Sequence, residues 1–265
     1  MYQEHFGITD TPLGKKTKAL WDDGQLERIK TRFDWLLKNP GVGVLTGDVG
    51  VGKTSILRQL VQPLNPHRFQ VIYLSETDFG RVDLYRSLAF ALGLEPAYRR
   101  AQVWRDIKAR IQELQETQHI LPIWIIDEAQ NLPPEFFKDF PAFLNFAFDA
   151  SDMMTVWLIG LPELASTLKR GPYAALKSRI QVHVKLNAVS EGSRFSALIE
   201  HALKDVGCQQ RLISDSGMEL LRQGSQGRPR QAGFLLQHAM RLAVPKGLNH
   251  LPDELIVEAI ESQHG

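Results

Sequence analysis

The stretch Gly47-Asp48-Val49-Gly50-Val51-Gly52-Lys53-Thr54 constrains this chain more than any other, because it carries the spacing of a phosphate-binding loop at every fixed position. Gly43-Val44-Leu45-Thr46 before it is short, apolar and β-prone, and Ser55-Ile56-Leu57-Arg58-Gln59-Leu60-Val61 after it has helical spacing. The glycines therefore fall between a strand and a helix. There they let the backbone turn back and aim successive N–H groups at a phosphate, while the helix adds the positive end of its dipole. In that geometry Lys53 reaches the β- and γ-phosphates and Thr54 offers a hydroxyl to Mg²⁺, so Gly47 through Ser55 is the candidate nucleotide-binding segment.

The order of the other elements follows from periodicity. Leu26, Ile29, Phe33, Leu36 and Leu37 recur at helical spacing between Asp23 and Lys38, and Asn39-Pro40-Gly41 stops that helix. Phe69–Leu74 reads as a second strand, followed by helices over Asp83–Leu92 and about Ala101–Thr117. Leu121–Ile126 is a continuous apolar run, as expected of a strand buried on both faces. Pro133-Pro134 opens a helix expected to run through Phe148, with six phenylalanines in thirteen residues marking a core face. Met153–Ile159 is the next buried strand, and Arg179 begins the last one, Ile180–Leu186. Strands alternating with helices imply an α/β fold with a parallel sheet covered on both faces, its ligand at the carboxyl ends of the strands.

After Ala188 the pattern is helical alone, over about Ser190–Val206, Ser214–Gln223, Pro229–Ala243 and Pro252–Ser262. The expected organisation is an arm over residues 1–22 lying across the first domain, an α/β nucleotide-binding domain over 23–188, and a helical lid over 189–265.

The strand Leu121–Ile126 ends in Asp127-Glu128. Phosphate-loop enzymes need a carboxylate at such a strand end to hold Mg²⁺ and a second to polarise the attacking water; Asp127 suits the first role and Glu128 the second. With 31 basic and 30 acidic residues the net charge is +1, so any nucleic-acid site has to be a local patch. Such a patch is Tyr98-Arg99-Arg100 leading into the helix with Gln102, Arg105 and Lys108, where cations and free helix N–H groups meet; Lys15, Lys16 and Lys18 are the next candidates. The single cysteine, Cys208, excludes an internal disulfide and reads as a small buried apolar residue. No run of apolar residues is long enough to span a membrane, and the first residues lack the regions of a secretory signal, so a cytoplasmic location is expected.

Taken together, the phosphate loop, the strand ending in Asp-Glu, the Arg before a late strand and the helical lid resemble an AAA+ ATPase. Within that class Ile126-Asp127-Glu128-Ala129-Gln130-Asn131-Leu132 resembles the signature of the general-secretion-pathway A (ExeA-like) family. Met1-Tyr2 with Phe6-Gly7-Ile8 and Pro12 resembles that family's start, and Leu158-Ile159-Gly160-Leu161-Pro162-Glu163-Leu164 its later turn. Secretion members add a membrane span and further domains. This chain shows neither, and so is similar to the stand-alone members that regulate DNA transposition, relatives of the phage Mu target-DNA ATPase and of transposon AAA+ subunits.

The resemblance implies ATP and Mg²⁺ as ligands, a homo-oligomeric ring or filament, and duplex DNA held through its backbone with little sequence preference. It also implies a transposase partner, with a target-selection protein as a further one. Arg179 matches an arginine finger acting on a neighbouring subunit's nucleotide, and Arg230, in Gly227-Arg228-Pro229-Arg230, matches the second sensor arginine of the lid. One departure stands out: Gly160-Leu161-Pro162 offers no side-chain donor where the family places its first sensor, which predicts slow hydrolysis. The alternatives are a secretion-associated ATPase without DNA affinity and a nucleotide-gated loader or scaffold for replication proteins.

Overall fold

The computed structural model describes residues 2–15, 17, 19–77, 80–146 and 151–262. Phe148, at the far end of the expected aromatic helix, and Lys16 and Lys18 of the arm lie outside the described residues. In chain order the elements are α1 (Tyr2–Phe6), α2 (Gln25–Lys38), β1 (Val42–Gly47), α3 (Lys53–Val61), β2 (Phe69–Leu74), α4 (Arg81–Ala91), α5 (Arg100–Glu116), β3 (Leu121–Ile126) and α6 (Pro134–Phe143). They continue as β4 (Thr155–Gly160), α7 (Pro162–Leu168), α8 (Ala174–Arg179), β5 (Ile180–Leu186), α9 (Gly192–Asp205), α10 (Asp215–Ser225), α11 (Pro229–Ala243) and α12 (Asp253–Glu261). Arg179 is the last residue of α8 and not the first of β5, a one-residue shift at a helix end that periodicity does not resolve.

Two compact units result. One comprises Gln25–Gly47 and Ile56–Leu186; the other comprises Met1–Gly24, Asp48–Ser55 and Asn187–Gly265.

The first unit is built on a five-stranded sheet in the order β2-β3-β4-β1-β5, with every pairing parallel. Strands β1, β3 and β4 are buried along their whole length, which is why they are continuous apolar runs without polar alternation. Successive side chains point to opposite faces. Val44, Trp124, Ile126, Val156 and Leu158 face a core built with α4, α5 and α6. Rings fill it: Phe136 stacks on Phe140 at 4.7 Å, and Tyr85 lies 4.8 Å from Phe143. On the other face Phe33 of α2 stacks on Trp157 at 5.7 Å, and the buried Thr155 hydroxyl donates to Leu36 O at 2.9 Å. The indoles of Trp124 and Trp157 are fully buried.

The second unit is helical. Its core joins Phe195, Leu198 and Ile199 of α9 with Leu221 of α10, Leu235, Leu236 and Met240 of α11, and Leu255 and Ile256 of α12. Ser214 caps α10, its hydroxyl accepting from Gly217 N at 2.9 Å. Trp21 packs partly buried at the edge of this core, and Cys208 is buried in it.

The N-terminal arm belongs to this helical unit. Phe6 and Ile8 are buried among the lid helices, Thr9 N donates to Val206 O at 2.8 Å, and the Tyr2 ring lies under Arg241. Isolated anchors such as Phe6 and Ile8 have no periodicity, so the sequence shows them as an arm without saying where it docks.

Candidate nucleotide site

In the helical unit the phosphate loop turns at Gly50 and Gly52, whose φ values of +81° and +104° are those of glycine. Lys53, the first residue of α3, is buried, and its ammonium donates to Asp48 O at 3.0 Å, folding back over the loop. Thr54 follows it at an exposed position. Arg230 enters through the backbone: its N–H donates to Gly50 O at 3.1 Å, and a Cβ on Gly50 would lie 3.2 Å from Arg230 Cβ. The turn that delivers Arg230 is Gly227, at φ +67°, whose carbonyl accepts from Val189 N at 2.9 Å. A Cβ there would fall 2.3 Å from Val189 O.

The carboxylates Asp127 and Glu128 belong to the sheet-bearing unit. Asp127 leaves β3 almost fully buried; its Oδ2 accepts from the Tyr73 hydroxyl at 2.9 Å and its Oδ1 from Glu128 N at 3.0 Å. Burial first, and then the bond to Asp127 and the charges of Asp127 and Glu128, push the Tyr73 hydroxyl above its ordinary range, so it remains a donor. Glu128 is a non-glycine residue in the left-handed region, at φ +52°, and its carbonyl accepts from the buried Thr77 hydroxyl at 3.2 Å. Strain of this kind, on the order of 1–3 kcal/mol, collects at functional positions.

Gln130, part of the signature that follows β3, has a role that sequence alone does not assign. Its Nε2 donates to Glu128 Oε2 at 2.7 Å, and its Oε1 accepts from Leu161 N, just beyond β4, at 3.0 Å. The signal was present as a Gln two places after Glu128 and a glycine at the end of β4, but only the parallel pairing of β3 with β4 brings the two together. Arg179 sits at the end of α8, half-buried, in the same unit.

At the start of α5 the expected basic patch separates into two groups. Tyr98 is 90% exposed and Arg99, the N-cap residue, is exposed as well. Arg105 is exposed one turn on, donating to Gln102 Oε1 at 2.7 Å. Arg100 turns inward: it pairs with Asp139, which Arg81 shares, and lies over the Trp104 ring at 5.1 Å. A half-buried carboxylate beside a helix start attracts the arginine more strongly than solvent does, and a linear pattern does not display Asp139 as its neighbour. Lys108 likewise donates to Ala142 O and Asn145 O, and burial pushes its pKa down.

The residues fit a magnesium nucleotide. Glycines in the left-handed region, a loop lysine and a threonine hydroxyl form one set, and an Asp-Glu pair of hard oxygen ligands at a strand end forms the other.

A parallel five-stranded sheet with a phosphate loop after β1 and carboxylates after β3 defines a P-loop ATPase. The chain belongs to the AAA domain family, whose model matches residues 36–168, and it is an AAA+ ATPase that uses ATP with Mg²⁺. It is 26% identical over 260 residues to general secretion pathway protein A of Aeromonas hydrophila, covering 93% of this chain and 46% of that protein. It thus spans less than half the length of that relative. Among solved structures, the Aeropyrum pernix ORC1 protein in complex with DNA aligns over 94% of this chain and 68% of its own, with a TM-score of 0.68 at 16% identity. The Cdc6p of Pyrobaculum aerophilum aligns over 97% and 70%, with a TM-score of 0.65 at 18% identity. At these identities the two structures establish the fold. Among the described residues no helix is long and apolar enough to cross a membrane.

Proposed function

We propose that this ATPase is a nucleotide-controlled regulator that assembles on duplex DNA, recruits or activates a transposase, and disassembles on hydrolysis. The phosphate loop, Gly47 through Ser55, holds the nucleotide phosphates through its N–H groups and Lys53, with Thr54 and Asp127 serving the metal. Bound Mg²⁺ supplies charge neutralisation at the phosphates. Tyr73 fixes the rotamer of Asp127. Glu128 polarises the water, and Arg230 answers the state of the nucleotide through its backbone bond to the loop. Arg179 acts on the nucleotide of a neighbouring copy, which makes hydrolysis depend on assembly.

The observation that carries the DNA reading is the exposed ledge of Tyr98, Arg99 and Arg105 at the start of α5, a helix with no acidic residue in its first turn. Cations at a helix N-terminus oppose its dipole, and a phosphate placed there offsets both. Such contacts fix position without reading bases. Replacing Arg99 and Arg105 together by alanine should flatten the slope of log affinity against log salt on duplex DNA by roughly 1.8, at about 0.9 per lost contact, with ATP binding intact. An unchanged slope removes the ledge from the DNA site.

A second reading, a secretion-associated ATPase without DNA affinity, is favoured by the match to the Aeromonas protein across 93% of this chain. Absence of retention on duplex DNA with a non-hydrolysable ATP analogue would select it.

A further inference from the structure

We propose that Gln130 is the positioning residue for the water-polarising carboxylate, supplying from the β3 loop the amide that β4 does not provide. The inference rests on the assignment of Glu128 as the base.

Four observations converge. The Glu128 backbone is fixed in the left-handed region, with its carbonyl bound by Thr77. Among the described residues its side chain is held at Oε2, by Gln130 Nε2 at 2.7 Å. Gln130 is itself anchored at its other end, Oε1 accepting from Leu161 N at the end of β4. Finally, Gly160 makes room: a Cβ there would lie 2.4 Å from Gln130 Oε1 and 3.3 Å from the Gln130 backbone N.

The orientation of the carboxamide is decided by its partners. Turned over, it would set its NH₂ against the Leu161 N–H and its oxygen against the Glu128 carboxylate, so both contacts would become repulsive. The bridge therefore ties the carboxylate to the sheet at two strand ends. It fixes Oε2 and leaves Glu128 Oε1 to accept a proton from water. Gln130 thereby brings a side-chain amide to the strand end where Gly160-Leu161-Pro162 offers none.

The experiment is steady-state hydrolysis by the full chain with ATP and Mg²⁺. Gln130→Glu keeps an acceptor for Leu161 N and replaces the donor to Glu128 with a carboxylate oxygen. The kcat should fall between about 10- and 100-fold, below the 10²–10⁴-fold contribution typical of a general base, while KM moves by less than about twofold. Gln130→Ala should fall to the same level. Gly160→Ala, by expelling the carboxamide, should join it, and the Gln130→Ala/Gly160→Ala double variant should be no slower than either single one, because both remove one interaction. An unchanged or raised kcat in Gln130→Glu, with Glu128→Gln inactive, overturns the positioning role alone; an active Glu128→Gln overturns the assignment of the base. Additive losses in the double variant, confined to melting temperature, would make Gln130 merely structural.

Discussion

The two units secure their functional residues by different means. In the sheet-bearing unit they form a chain of side chains: Tyr73 holds Asp127, Asp127 holds Glu128 N, and Gln130 joins Glu128 to the end of β4. In the helical unit two joints run from main chain to main chain, Arg230 N on Gly50 O and Val189 N on Gly227 O, while Lys53 reaches Asp48 O with its side chain. The difference teaches where each unit is vulnerable. A side-chain network fails when a functional group is removed, whereas a backbone joint survives most such changes and fails when a Cβ is added.

The largest expected effects test whether the two sets serve separate steps. Glu128→Gln should lower hydrolysis by about 10²–10⁴-fold and still retain ATP, since only the proton acceptor is lost. Lys53→Ala should lose ATP retention itself. A filter-binding measurement on both separates the outcomes, and a Glu128→Gln protein hydrolysing at the parent rate would break the comparison at its centre.

Next in size is Gly227→Ala. A positive φ costs a non-glycine residue about 1–3 kcal/mol, and the new Cβ meets a backbone oxygen that cannot rotate away, so destabilisation of at least about 2 kcal/mol is expected from chemical unfolding. Arg228→Ala, beside it but with no added atoms, should cost far less. Equal losses would show that the turn is not what holds Arg230.

The smallest effect sharpens the other side. Tyr73→Phe removes one hydroxyl bonded to a carboxylate, a contact worth roughly 1.5–3 kcal/mol when fully buried and less at this half-exposed edge position. Higher Mg²⁺ should be needed for half-maximal hydrolysis, measured by titration, with KM for ATP at saturating metal unchanged.

Most of the fold was legible because buried parallel strands and amphipathic helices leave strong patterns; Leu121–Ile126, Phe69–Leu74 and Pro229–Ala243 lie where periodicity placed them. The candidate residues Lys53, Thr54, Asp127 and Glu128 stand in contiguous motifs, the kind of pattern that a linear reading displays. The remainder depends on contacts distant in sequence. Gln130 meets Leu161 only through strand pairing, Arg100 is drawn inward by Asp139 on another helix, and the arm docks by Phe6 and Ile8, single apolar residues that set up no period. Side chains that act through a neighbour carry no linear signature of that neighbour.

The distribution of indoles gives the molecule two optical halves. Of its five tryptophans, Trp35, Trp104, Trp124 and Trp157 belong to the sheet-bearing unit, and Trp21 alone to the helical one. Trp124 and Trp157, sealed in apolar surroundings, emit at the blue end of the indole range, so fluorescence during denaturation follows the sheet almost exclusively. Far-ultraviolet dichroism, by contrast, is weighted towards the helices of both units. Where the two signals part on a denaturant axis, the gap between them measures how independently the helical unit melts.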